Sequence, residues 1–264
     1  RYEVVLSAGA LATPKILMLS GVGDANDLKA AGIEVVHALS GVGKNLQDHM
    51  WLGVGFASKK EIDPPQLLCE AGLFTYAVSK KSPLVSPDLQ FFFSTVQFVD
   101  PEYQISGPAF TLAPVLARPK SIGYVKLLSK NPDDLPEVNP NYLSHPDDID
   151  VMLKGIDIAR KVARMTTVSD YLDKEIAPGS DKVTKEDLSQ FIRQSSKTVW
   201  HPCGTCKMGV DKDAVVNSRL KVIGLEGIRI ADASIMPDIT SGNTNAPSIM
   251  IGEKAVAMIL EDNH

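Results

Sequence analysis

Cysteine is scarce: the 264 residues hold three, an odd number. That excludes a fold stapled by disulfides, which needs even, closely spaced pairs. A basic cluster is also missing. Twenty-seven Lys and Arg face 32 Asp and Glu, for a net charge of -5. Nucleic acid and anionic membrane surfaces are therefore poor partners. No run approaches ~18 uninterrupted apolar residues, so no transmembrane helix is expected. There is no Asn-x-Ser/Thr sequon and no charged-then-apolar leader, which points to a reducing cytoplasm. The chain opens on Arg1-Tyr2-Glu3-Val4-Val5-Leu6 without an initiator Met. Residues 2–6 already read as a strand. A domain rarely begins inside its own core, so further chain is expected ahead of Arg1.

What remains is ordinary globular composition. Apolar residues make up 44% and charged residues 22%, close to the usual averages. A short helix is predicted after Ser7-Ala8-Gly9-Ala10, with Thr13 as N-cap and Pro14 in the first helical position. Residues 27–31 read as a helix ended by Gly32, and Ile33–Val36 as a strand. The middle of the chain differs. Residues 58–87 look like an excursion, in which the Lys59-Lys60 and Lys80-Lys81 pairs are solvated loop charges. Leu89–Phe98, Ala109–Ala117 and Gly123–Leu128 then read as an antiparallel meander. Phe91 and Phe93, at strand spacing, are assigned to its core, with lining of a substrate pocket as the alternative. Asp147–Met165 has acids early and bases late, as a helix dipole prefers. Thr184 caps another helix running to about Gln194. Near the end, Gly227–Ala231 reads as a strand, and a helix is expected from Pro247 to Leu260. The predicted order is α/β, then β-rich, then α/β: α+β overall, with an antiparallel-sheet domain inserted into an α/β domain.

The chemistry lies in four segments. The first is Ser7–Pro14 followed by Leu17-Met18-Leu19-Ser20-Gly21-Val22-Gly23. The second is Val42-Gly43-Lys44-Asn45-Leu46-Gln47-Asp48-His49. The third is Trp200-His201-Pro202-Cys203-Gly204-Thr205-Cys206-Lys207-Met208-Gly209. The fourth runs from Arg229-Ile230-Ala231-Asp232-Ala233-Ser234 to Gly242-Asn243-Thr244-Asn245-Ala246-Pro247 and into the last helix. Together, over the whole chain, they resemble the C-terminal half of the glucose–methanol–choline oxidoreductases, in particular the choline-dehydrogenase-like and alcohol dehydrogenase branch. The resemblance implies the C-terminal part of a flavin-binding α/β domain at residues 1–57 and 200–264, with a substrate domain at 58–199. It also implies flavin adenine dinucleotide (FAD) as cofactor and a small alcohol as substrate. The family's dinucleotide fingerprint, Gly-x-Gly-x-x-Gly, does not occur here. Gly21-Val22-Gly23 and Gly41-Val42-Gly43 lack the third glycine. The phosphate-binding turn that this fingerprint builds is therefore expected on a missing N-terminal half or a complementary subunit.

Oxidising an alcohol requires a base for the hydroxyl proton, and an imidazole with a pKa near 6.5 suits that task near neutrality. His201, held between Trp200 and Pro202, is the candidate. Asn245 has an amide that hydrogen-bonds an oxygen without competing for its proton. The resemblance implies catalytic roles for His201 and Asn245. It implies cofactor contacts at Trp200, Asp232, Ala233, Thr244, Asn245, Ala246 and Pro247. His37, His145 and His264 lack such a context and are read as structural; His49 is structural or near the cofactor. Cys203-x-x-Cys206 has no second cysteine pair, so neither a metal nor a disulfide is expected. The same scaffold resembles hydroxynitrile lyases and fatty-acid photodecarboxylases, and a non-catalytic half that only binds a partner is a further alternative.

Overall fold

The computed structural model describes residues 3–77 and 85–262. Tyr2, Lys80, Lys81 and His264 lie outside them. Among the described residues are the helices α1 (Gly9–Leu19), α2 (Ala25–Ala30), α3 (Pro146–Ala163), α4 (Thr166–Ser169), α5 (Lys185–Ser195) and α6 (Asn245–Asp262). Contacts divide the chain into two units. The first takes its described residues from Arg1–Asp48, Ser121–Tyr142 and Trp200–His264. The second takes them from His49–Lys120 and Leu143–Val199.

In the first unit, Val4–Leu6 pairs in parallel with Ile228–Ile230. Leaving this strand pair, the chain enters α1 at Gly9, four residues before the expected N-cap. A residue distant in sequence moves that start. Asp232 accepts hydrogen bonds from the Gly9 N–H at 3.0 Å and the Thr13 hydroxyl at 2.6 Å. Pro14 therefore lies inside the helix. It has no N–H to give to the carbonyl four residues back, which belongs to Ala10. The buried Thr205 hydroxyl donates to that Ala10 carbonyl at 2.6 Å. The helix thus tolerates its proline because a remote side chain completes the missing bond.

After α1, Val22–Gly23 pairs in parallel with His37–Ala38. The strand predicted at Ile33–Val36 is thus displaced to His37–Ala38. Its partner strand is only two residues long and gives way to Asp24, which caps α2 by accepting from Asn26 and Asp27 N–H. The Gly123–Leu128 segment also departs from the expected meander. Tyr124–Lys126 pairs with Glu137–Asn139 in a separate hairpin of the first unit. Val125 N–H donates to the Gly43 carbonyl at 2.7 Å. Gly43 has φ +78°, and a Cβ there would lie 2.2 Å from the Val125 carbonyl oxygen. Leu17, Val42, Val125, Cys206, Ile230 and Ile251 are among the residues of this unit's core.

The C-terminal helix starts at Asn245, two residues before Pro247. Ile251 and Ala255 are its buried positions, whereas Ile249, Val256 and Leu260 are exposed. Its far end is tied by charge. Arg229, fully buried on the Ile228–Ile230 strand, donates to Glu3 at 3.2 Å and to Asp262 at 2.8 Å. Lys221 and Arg229 hold the Asp262 carboxyl well below the usual carboxylate range.

The second unit is an antiparallel sheet carrying helices. Ala109–Leu116 is its hub. It pairs with Leu89–Ser94 on one side, and with Val54–Ser58 and Met50–Trp51 on the other. Ala71–Thr75, Leu172–Ala177 and Lys197–Thr198 extend it. Gly155 of α3 lies against Pro114 and Leu89. By strand alternation, the helix-bearing face therefore carries Leu89, Phe91, Phe93, Phe110, Leu112 and Pro114. The predicted charges of α3 and the predicted Thr184 cap of α5 are present, the Thr184 hydroxyl accepting from Asp187 N–H; α3 is in addition capped by His145, whose Nδ1 accepts from Asp147 N–H. Arg160 of α3 makes an ion pair at 2.8 Å with the buried Glu175.

The Thr205–Ala10 bond gives a testable coupling. Thr205→Val leaves a buried carbonyl unsatisfied and should cost about 1–3 kcal/mol. In a Pro14→Ala background the helix supplies its own N–H, so the same change should cost clearly less. Urea unfolding of the wild type, both single variants and the double variant measures the difference. Equal costs in the two backgrounds would refute the coupling.

Candidate functional site

The segment from His201 to Met208 is held like a strand between two others, although it is not part of an extended sheet. On one side Gln47 and Cys203 exchange backbone hydrogen bonds at 3.0 and 2.9 Å. Gly43 N–H donates to the Thr205 carbonyl at 2.8 Å. On the other side Gly204, Cys206 and Met208 donate to the carbonyls of Ala233, Ser234 and Ile235 at 3.2, 2.8 and 2.8 Å. Two amide side chains close the lattice. Asn45 donates to the Gly204 and Pro237 carbonyls. Gln47 donates to the Pro237 carbonyl and accepts from Ile239 N–H. Gly204 has φ +89°, and a Cβ there would lie 2.5 Å from the Asn45 carbonyl. Only glycine fits this close approach.

His201 sits at the start of that segment and is half-buried. Trp200, just before it, has φ +64° and is 83% exposed. A left-handed conformation in a bulky residue is held by its surroundings. Here the next N–H, that of His201, donates to Asp48 Oδ1 at 2.8 Å. Asp48 Oδ2 accepts from the Tyr142 hydroxyl. Burial lowers the His201 pKa below the ordinary imidazole value, and the Asp48 charge opposes that shift. The ring is thus biased toward its neutral, proton-accepting form.

Every residue singled out as catalytic or cofactor-binding falls in the first unit. Asp232 sits at the end of the Ile228–Ile230 strand. Besides Gly9 and Thr13, it accepts from Ser234 N–H at 2.8 Å, capping the turn Ala233–Ile235. Both its oxygens thus serve the chain itself. The same turn receives the His201 segment and packs against α6. Thr244 is buried, and its carbonyl accepts from the N–H and hydroxyl of Ser248. Asn245 and Ala246 form the exposed first turn of α6, with Pro247 third. A helix start leaves its first N–H groups without helical partners. Proline removes one of them, so those of Asn245 and Ala246 are the ones the helix frees.

Asp48, Tyr142, Gln47 and Thr205 were not among the sequence candidates. Asp48, Gln47 and Thr205 lie inside the motif segments, which was the available signal. Tyr142 lies outside them.

The second unit holds a pocket of about 570 Å³. Phe93 and Phe110 line it, with Glu61, Asp63, Glu70 and Tyr171 around them. Phe91 is buried as expected, but Phe93 is half-buried and opens onto this pocket. His49 is buried in the second unit, with Nε2 3.2 Å from the Ala117 carbonyl oxygen.

Cys203 and Cys206 are buried free thiols. Burial, with Asp48 and Asp238 nearby, pushes the Cys203 thiol up to about 12. Burial also raises Cys206 strongly. Neither is a nucleophile at neutral pH. In the native chain, a thiol reagent should therefore label only Cys69, which is partly exposed, and the other two should react only after denaturation. Rapid labelling of all three in native buffer would contradict the buried placement.

Comparison with known proteins follows the same segments. Residues 1–51 and 119–252 each match a sequence pattern described as GMC oxidoreductase. The chain is 40% identical to an alcohol dehydrogenase [acceptor] of Pseudomonas putida, over 98% of this chain and 51% of that protein. It is 38% identical to the mitochondrial choline dehydrogenase of Homo sapiens, over 97% of this chain and 47% of that protein. Among solved structures, pyridoxine 4-oxidase from Mesorbium loti superposes with a TM-score of 0.91 at 29% identity, covering 99% of this chain and 52% of that one. Formate oxidase of Aspergillus oryzae gives a TM-score of 0.88 at 25% identity, covering 99% and 54%. The chain therefore spans about half the length of the relatives it matches. With both patterns matched and this fold, the chain belongs to the GMC oxidoreductase family.

Proposed function

We propose that this chain carries the proton-handling half of an FAD-dependent enzyme that oxidises a small alcohol to an aldehyde or ketone. The observation that supports it is His201: a half-buried imidazole, biased neutral by burial, on a segment laced to two flanking motifs. FAD, when bound, supplies the acceptor for the hydride that leaves the carbinol carbon. The hydroxyl proton goes to a ring nitrogen of His201. The Asn245 amide donates to the same substrate oxygen and steadies its developing negative charge.

The residues present suit the cofactor. The exposed start of α6, with the N–H groups of Asn245 and Ala246, favours anionic charge. Trp200, Ala233, Thr244 and Pro247 complete the set we assign to FAD. Asp232 contributes by fixing the Ala233 turn and the start of α1, since both its oxygens are engaged there. No described helix is long and apolar enough to cross a membrane.

A partner is part of this proposal. Val4 and Val5 of the parallel strand pair are 59% and 39% exposed. On α6, Val256 and Leu260 are each 56% exposed. Parallel strands are ordinarily covered on both faces. We assign these faces to a polypeptide equivalent to the other half of the relatives, which would also bring the phosphate-binding turn.

The test uses the chain combined with such a half. FAD should bind the combination more tightly than the chain alone. With alcohol under anaerobic conditions, His201→Ala should slow flavin reduction about 10²–10⁴-fold, roughly 3–5 kcal/mol of barrier, with FAD retained. Asn245→Ala should cost about 10–10³-fold. The two losses should not add, because both groups act on one oxygen. The parent rate should rise with pH through an apparent pKa below the ordinary imidazole value, as neutral His201 accumulates. Reduction at the parent rate in His201→Ala would remove this residue from the mechanism.

A further inference from the structure

Asp48 joins two residues far from it in sequence, and one of them is the proposed base. It is 7% exposed and ends the Asn45–Asp48 segment that flanks the His201 loop. Its two oxygens are divided. Oδ1 takes the His201 backbone N–H, 153 positions away, at 2.8 Å. Oδ2 takes the Tyr142 hydroxyl, 94 positions away. A carboxylate that accepts at both oxygens is a fixed negative charge, and its bonds are stronger than neutral ones.

The place where it acts is informative. The peptide unit between Trp200 and His201 follows a left-handed residue that is not glycine. Such a backbone relaxes unless something holds it. The hydrogen bond to Asp48 holds the N–H of that very unit, so it fixes the direction in which the His201 side chain leaves the backbone. Tyr142 in turn fixes the carboxylate.

We propose that Asp48, oriented by Tyr142, is a positioning residue for His201: it pins the imidazole's backbone and supplies the negative charge that balances the ring once it has taken a proton. This rests on the reading of His201 as the base. The proton passes from the substrate hydroxyl to a ring nitrogen and no further. Asp48 stays a carboxylate, and Tyr142 keeps its own proton. Asp48 is the group whose field opposes the effect of burial on His201. The neighbouring Cys203, which also feels Asp48 and Asp238, stays a neutral thiol. A nearby opposite charge favours the protonated imidazole.

The titration and exchange measurements need neither cofactor nor substrate. In the chain labelled for NMR, the His201 ring is titrated in the parent, Asp48→Asn and Tyr142→Phe proteins, with His201→Gln to assign the signal. Asp48→Asn keeps the shape and removes the charge, so the His201 pKa should fall below the parent's. Tyr142→Phe keeps the charge but frees the carboxylate, so the pKa should move less. In both variants the His201 backbone amide should exchange with solvent at least about tenfold faster while distant amides are unchanged, since a local opening has become easier. An unaltered His201 pKa in folded Asp48→Asn overturns the proposal. If that variant does not fold, an unaltered His201 amide rate in Tyr142→Phe overturns it. If both shifts appear while flavin reduction in the assembled enzyme is unaffected, the positioning stands and the base assignment falls.

Discussion

A buried backbone must find partners for its polar groups, and the segment from His201 to Met208 is where that requirement organises the first unit. Its residues are fully or partly buried, yet they form no extended sheet. Their N–H and carbonyl groups alternate between the Gly43–Gln47 stretch and the Ala233–Ile235 turn. Thr205 reaches a third element and completes the bond that Pro14 leaves open in α1. One short loop therefore ties the start, the middle and the end of the unit. Its first residue, His201, inherits that fixity. Buried hydrogen bonds contribute modestly when made and cost more when broken, so the lattice is expected to open as a whole rather than bond by bond.

The electrostatics follow from the same packing. Burial disfavours charge at His201 and at both cysteines, but with different outcomes. The imidazole becomes a neutral base, whereas the thiols become inert. The Asp48 carboxylate raises the pKa of both His201 and Cys203, with opposite consequences. For the thiol that means deeper silence; for the imidazole it means a milder loss of basicity. At the other end of α6, Arg229 and Lys221 bind Asp262 and anchor the helix whose first turn belongs to the proposed site. The helix start can stay exposed because its far end is held.

The residues of the proposed site could be nominated from the sequence because they fall in dense local motifs that carry the family resemblance. His201, Asp232 and Asn245 stand in segments whose Gly, Pro and small residues already signal tight turns. The cap at Thr184 could be read for a similar reason: the bond it makes is three residues away. The failures share the opposite property. Helix α1 starts at Gly9 because Asp232 accepts from it across 223 positions. The strand read at Ile33–Val36 has the right alternation, but its partner is too short to pair with it. Tyr124–Lys126 has strand composition, yet its N–H groups answer to Gly43 and its own hairpin rather than to the meander. The two units divide at Asp48, with Ser121–Tyr142 in the first, where the resemblance implied a boundary near 57 and one unbroken middle domain. Asp48 was visible inside a motif, but its tie to His201 spans 153 positions and leaves no local trace.

The lattice around His201 can be measured directly by hydrogen exchange. If the His201–Met208 segment is the fixed centre of its unit, the amides of Cys203, Cys206 and Met208 should exchange only through unfolding of the unit. Their protection should equal that of the most protected amides in α1 and should fall in parallel with them as denaturant is added. Exchange of these three amides through local openings, insensitive to denaturant and far faster than the α1 amides, would contradict the account.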